Sequence, residues 1–191
     1  AEEQLEAMVL SHPHSNGRQI QFAERLALER GLPYDLHGIQ VGVGTVLTMN
    51  IYEDVKRLQP SREKAEAAMK AFDPAAWEAR VRRVFGKTAP QVLAIEEKAH
   101  KNDPARHAVR LTRILDNWDE IQKIIREELP DREWLFGKMK QTGMPMTPEE
   151  LGISHEDVVD AFVCSRDIRD KYLSGSMLWD LGELDDFAKR L

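Results

Sequence analysis

Apolar positions recur every three or four residues along most of this chain, and that period predicts helices. Leu5, Met8 and Val9 form a short stripe over 1–10, followed by the polar loop Ser11-His12-Pro13-His14-Ser15-Asn16-Gly17. A second helix is expected over 18–30, stopped by Gly31 with Pro33 just beyond, the usual punctuation of a helix C-terminus. From Leu36 to Leu58 the stripe continues through Ile39, Val43, Val46, Leu47, Ile51 and Val55, with Asn50 as its single polar member.

Three later helices are announced by a capping residue followed by proline: Asp73-Pro74, Asp103-Pro104 and Thr147-Pro148. A first-turn proline loses no hydrogen bond, and its fixed φ suits a helix start. Thr147-Pro148-Glu149-Glu150 also has the spacing of a capping box, and Asp131 and Ser154 read as two more N-caps. Helices are therefore expected over 61–72, 74–85, 88–100, 104–129, 131–141, 155–172 and 177–190. No segment alternates like a half-buried strand; Val41–Val46 is β-rich, but Gly42 and Gly44 weaken it. The expected fold is all-α, a single-domain bundle of about eight to ten helices spanning residues 1–191. Gly143, Pro145 and Pro148 make 140–148 the expected mobile loop.

Composition narrows the function classes. The 191 residues are 42% hydrophobic, enough for a buried core, so a folded chain is expected. One cysteine excludes an internal disulfide framework. With 27 Lys+Arg against 33 Asp+Glu the net charge is −6, which argues against gripping nucleic acid. Apolar runs stop well short of the ~18 residues a membrane span needs, and the acidic start Ala1-Glu2-Glu3 is unlike a signal peptide. A cytoplasmic chain is expected, and the missing initial methionine points to a fragment or a processed form.

His37 stands in the first turn of the Leu36–Leu58 helix, beside Gly38 and ahead of Gly42 and Gly44. An imidazole there suits metal coordination. The glycines suit close approach of a backbone or a ligand, and close helix packing accounts for them equally. Gly42-Val43-Gly44 lacks the third glycine, the preceding strand and the lysine of nucleotide loops. His12 and His14 offer two imidazoles in a polar loop, while His100, His107 and His155 read as surface residues. Cys164 reads as a small buried hydrophobe. Adjacent acids such as Glu149/Glu150, Glu156/Asp157 and Asp185/Asp186 do not face one another on a helix. No acid stands in an apolar setting that would raise its pKa, and Arg80, Arg82, Arg83 and Lys87 read as a solvated basic face.

Two segments carry a resemblance. Leu36-His37-Gly38 with Val41-Gly42-Val43-Gly44-Thr45 resembles the second histidine motif of the sn-glycerol-1-phosphate dehydrogenase family, which groups with iron-dependent alcohol dehydrogenases and dehydroquinate synthases. Gly143–Ser154 is similar to that family's late loop and helix start, and Arg166–Tyr172 with Leu178–Gly182 to its final helices. The match covers roughly 36–58 and 140–191. The resemblance implies the C-terminal helical domain of a two-domain enzyme of phospholipid metabolism, whose Rossmann-like NAD(P)-binding domain is absent from this sequence. It implies a divalent metal, zinc (or nickel or iron), held by one aspartate and two histidines, and reduction of dihydroxyacetone phosphate to sn-glycerol 1-phosphate. The implied partners are a small phosphorylated polyol, no nucleic acid and no membrane; a homo-oligomer is compatible with it.

His37 corresponds to the second histidine ligand. The first falls on Gln19, with Arg18 in place of the preceding acid and Ala23 where the family has another histidine. A neutral amide is a far poorer zinc ligand than imidazole, and the aspartate ligand would lie upstream. This chain alone is therefore expected to be catalytically inactive. Two other readings stand beside this one: a degenerate non-catalytic paralogue serving association or regulation, and a glycerol dehydrogenase-like enzyme.

Overall fold

The computed structural model describes residues 37–191, with side chains from Gly38 onward. The helices expected over 1–10 and 18–30, together with His12, His14 and Gln19, lie outside the described residues. Among the described residues there are ten α-helices and no strand. They are α1 (His37–Val55), α2 (Arg62–Ala71), α3 (Pro74–Phe85), α4 (Ala89–Ala99) and α5 (Pro104–Asp116). The chain continues through α6 (Trp118–Glu128), α7 (Arg132–Gln141), α8 (His155–Cys164), α9 (Ser174–Asp180) and α10 (Leu184–Ala188). The β-rich stretch Val41–Val46 is helical, inside α1.

The expected caps form. Asp73 accepts from the backbone N–H groups of Ala75 and Ala76, Asp103 from Arg106, and Asp131 from Trp134. Ser154 and Asp157 make a reciprocal capping box. Thr147-Pro148-Glu149-Glu150, expected to start a helix, opens only the 3₁₀ turn Glu149–Leu151. Glu150 does reach back to the N–H groups of Met146 and Thr147.

Three expected helices are shorter than their periodicity suggested. The 104–129 stretch breaks at Asn117, whose side-chain amide donates to the Arg113 carbonyl at 2.8 Å, the local competition that makes asparagine a poor helix interior. The helix expected to reach 172 stops at Cys164. There Ser165 turns its hydroxyl back to the Phe162 carbonyl, and Lys101 donates to the carbonyls of Arg166 and Arg169. The 177–190 stretch divides at Gly182, φ +71°. Its N–H bonds the Trp179 carbonyl, and the Glu183 N–H bonds Leu178 at 2.7 Å, the Schellman ending that favours glycine.

The main core joins α1, α5, α6, α8, α9 and α10. Val55, Ile121, Ile125, Leu178 and Leu181 are wholly enclosed there. A second cluster packs Val81 and Phe85 of α3 with Ala89 and Val92 of α4 against Ala161 and Cys164 of α8. A third, rich in methionine, sets Val46 and Met49 of α1 against Phe136 and Met139 of α7, with Met144 and Met146 alongside.

Candidate functional site

His37 opens α1, the glycine-rich helix singled out by its sequence; its side chain lies outside the described residues. One turn later stands Gln40, 4% exposed, whose side-chain carbonyl oxygen has no hydrogen-bond partner. Gln40 lines a narrow apolar groove of 40 Å³ with Val43 and Leu47 on one side and Leu151, Val158 and Phe162 on the other. Gly42 does take a close approach, but of side chains and not of the backbone or ligand expected. A Cβ built there would fall 1.9 Å from the Met144 methyl, so the missing side chain is what admits the thioether. Met144 thus pins the 140–148 connection onto α1. No group of three or more His, Cys, Asp or Glu side chains is placed to hold a metal ion among the described residues. The implied metal would need His37, the Gln19 region and donors from elsewhere.

The richest polar constellation lies instead where α5 meets the segment after α8. Asp180 is fully enclosed. Its carboxylate accepts from Arg110 Nε at 2.7 Å and Nη2 at 2.8 Å, and from the Tyr172 hydroxyl at 2.7 Å. Burial, and then the Asp180 charge, push the Tyr172 hydroxyl well above its ordinary pKa. His107 bonds the Asp180 main-chain carbonyl at 2.9 Å and meets Trp179 edge-to-face. Arg166 stacks 4.0 Å over the Trp179 ring and donates to Asn102 at 2.7 Å. Beside it Asp167, 4% exposed, lies 3.8 Å from the Arg166 guanidinium. Burial raises the Asp167 pKa more than the Arg166 charge lowers it. Lys101, threaded beneath, is held below its usual pKa by burial.

Two sequence expectations are corrected here. His107 is 3% exposed, not a surface residue. Two acids, Asp167 and Asp180, are deeply buried, although no acid seemed placed in an apolar setting. Both lie in stretches dense with charge, Arg166–Lys171 and Leu178–Asp186, so hydropathy gives no sign of burial. The signal that could have found them is Tyr172 and Trp179 set among those charges, since amphipathic rings often roof a buried ion pair.

Other expectations hold. His100 and His155 are exposed, as are Arg80, Arg82, Arg83 and Lys87. Arg83 grips Asp160 with two bonds of 2.6 and 2.7 Å. Cys164 is a buried free thiol pushed up to about 12 by desolvation, which removes thiolate reactivity. Adjacent acids such as Glu149/Glu150 and Asp185/Asp186 are exposed.

As chemistry, the Arg110–Asp180–Tyr172 unit is a staple, since each of its charges is already paired. Free hydrogen-bonding capacity remains at Gln40 and around Asp167. Comparison with family models, with curated proteins and with solved structures returns no match.

Proposed function

We propose that this chain is the helical half of a metal- and NAD(P)H-dependent polyol-phosphate dehydrogenase of the sn-glycerol-1-phosphate dehydrogenase type, and that it does not turn over substrate alone. The reading starts from the resemblance in 36–58 and 140–191. What supports it is that these two segments, some 80 residues apart in sequence, fold as one body. Met144 fills the place of a side chain at Gly42. Ile51, Tyr52 and Val55 share a core with Phe162, Leu178 and Phe187, and Arg190 pairs with Asp54 at 3.0 Å.

In this reading His37, at the start of α1 and one turn before Gln40, would be a ligand of a metal held in a cleft completed by a cofactor domain. A metal bound there would polarise the substrate oxygen as a Lewis acid. The described side chains supply no donor cluster for it, so the chain's own contribution is to position α1 and keep the adjoining groove dry. Gln40, one turn on, has an unpartnered carbonyl oxygen in the adjoining apolar groove, able to accept from a hydroxyl group.

The test is reduction of dihydroxyacetone phosphate, followed as NADH or NADPH oxidation, by the protein translated from the complete reading frame containing these residues. Turnover yielding the sn-1 enantiomer, with none from the 191-residue chain alone, is expected. Turnover by the isolated chain refutes the division of labour. A metal-supplied full-frame protein that does not reduce the substrate supports instead the degenerate, non-catalytic reading, which Gln19 and Arg18 favour. Preference for unphosphorylated glycerol would move the assignment to a glycerol dehydrogenase-like enzyme.

A further inference from the structure

A cavity of 160 Å³ lies between the α4–α5 turn, α5, the segment after α8, and α9. Five cationic side chains line it, Lys101, Arg106, Arg110, Arg166 and Lys171, against the carboxylates of Asp170 and Asp180. That local excess of positive charge stands in a chain whose net charge is −6. Asp180 is neutralised by Arg110 at 2.7 Å, and the Arg166 guanidinium faces Asp167 at 3.8 Å. Lys101, Arg106 and Lys171 make no ion pair among the described residues. Lys101 and Arg106 instead donate to uncharged main-chain oxygens, Lys101 to the carbonyls of Arg166 and Arg169 and Arg106 to that of Ala99 at 2.8 Å.

Two observations on the buried side agree with this charge. Ser176 is 6% exposed and Arg166 3%, and the Ser176 hydroxyl and the Arg166 Nε–H have no hydrogen-bond partner. Buried polar groups are nearly always paired, and both of these groups donate, so both call for an acceptor. Lys101 is held below its usual pKa because burial outweighs the help it receives from Asp167, Asp170 and Glu96; an anion in contact would offset that cost. The volume is well below the ~300 Å³ at which sites for drug-sized ligands begin, which restricts the guest to a compact group. Three cations without a carboxylate favour two negative charges over one. We propose that this cavity binds a phosphate dianion, free or as the end of a small monoester. Arg106 and Lys171, both exposed, reach it from the solvent side, and Lys101 and Ser176 from the buried side. No residue of α1 lines the cavity, and the inference does not depend on the dehydrogenase reading.

The probes are inorganic phosphate and methyl phosphate, titrated into the 191-residue chain at fixed ionic strength and about pH 8, where both are dianions. Acetate is the monoanionic control. Binding is read from the indole ¹H–¹⁵N cross-peak of Trp179, which lines the cavity, with exposed Trp134 as the internal reference. A saturable Trp179 shift is expected, with affinity for phosphate about tenfold or more above that for acetate. Arg106→Ala and Lys171→Ala should each weaken binding about threefold to tenfold, whereas Lys138→Ala, exposed on α7 and outside the lining, should change nothing. Tighter binding of inorganic phosphate would identify the free ion as the ligand, and tighter or equal binding of methyl phosphate a monoester. No saturable shift, equal affinity for acetate, undiminished binding when Arg106→Ala and Lys171→Ala are combined, or equal weakening by Lys138→Ala would overturn the inference.

Discussion

Replacing Gly182 by alanine separates backbone strain from close packing. Gly182 has φ +71° and ends α9 against α2. A Cβ there would lie 2.9 Å from the Ala68 Cβ, 3.1 Å from the Lys64 carbonyl oxygen and 3.3 Å from the Ala65 Cα. These are backbone or stub atoms of a helix, with no flexible end to swing aside. The left-handed conformation costs alanine about 1–2 kcal/mol, and forcing a methyl into a packed contact adds about 1–3 kcal/mol. The stiffer unfolded chain returns about 0.4–1 kcal/mol. The net loss expected for Gly182→Ala is thus about 2–4 kcal/mol. Gly152 is the control, because its φ is +70° and nothing lies within 4 Å of the Cβ position. Gly152→Ala should cost only about 1 kcal/mol. Urea unfolding followed by circular dichroism measures both, provided the m-values agree. Equal losses in the two variants would refute the close approach of α9 to α2.

Three further outcomes follow from the buried charges and the thiol. Asp180→Ala leaves Arg110 with an unpaired, largely buried guanidinium and should cost about 3–5 kcal/mol in the same urea assay; a loss below about 1 kcal/mol would mean that the staple is solvated. Asp167 has a folded pKa above its ordinary 3.8 because of burial. Its protonated form is therefore favoured on folding, and that contribution, full below 3.8, is lost as pH rises through the folded value. Calorimetric melting should accordingly show Asp167→Asn gaining on wild type as pH rises toward neutrality, with the gain gone in acid. An Asn variant that loses ground over that rise contradicts the desolvation argument. Cys164 should resist a disulfide reagent in the native chain and react fully once unfolded, since burial pushes its thiol up to about 12; rapid native labelling would show α8 opening locally.

The helix starts were legible because a start is a local event. Asp73, Asp103, Asp131 and Ser154 each cap within three residues of themselves, so the sequence contains both partners of the bond. The ends were less legible where tertiary partners decide them. Lys101 satisfies the carbonyls after Cys164 from 65 and 68 residues away, which no window around residue 165 reveals. Gly182 is different, because its glycine is a local stop signal that the apolar stripe of 177–190 outweighed. The buried polar cluster escaped for a third reason. Arg110, Asp180, Tyr172 and Arg166 become a unit only when α5 meets the end of α9, and singly each looks like surface. His107 followed them inside because its partner is a main-chain carbonyl, invisible to residue-type reasoning. Of the glycines of α1, Gly42 admits the Met144 side chain in place of the backbone or ligand expected, and nothing lies within 4 Å of a Cβ at Gly38.

The proposed function requires the imidazole at the start of α1 to serve a metal completed from outside these helices. The measurement that meets it most directly is turnover of dihydroxyacetone phosphate by the full-frame protein carrying His37→Ala, beside wild type and with the helical signal unchanged. Loss of turnover by orders of magnitude, together with loss of bound metal, is the predicted result. Undiminished turnover, or metal retained at full stoichiometry, would contradict it.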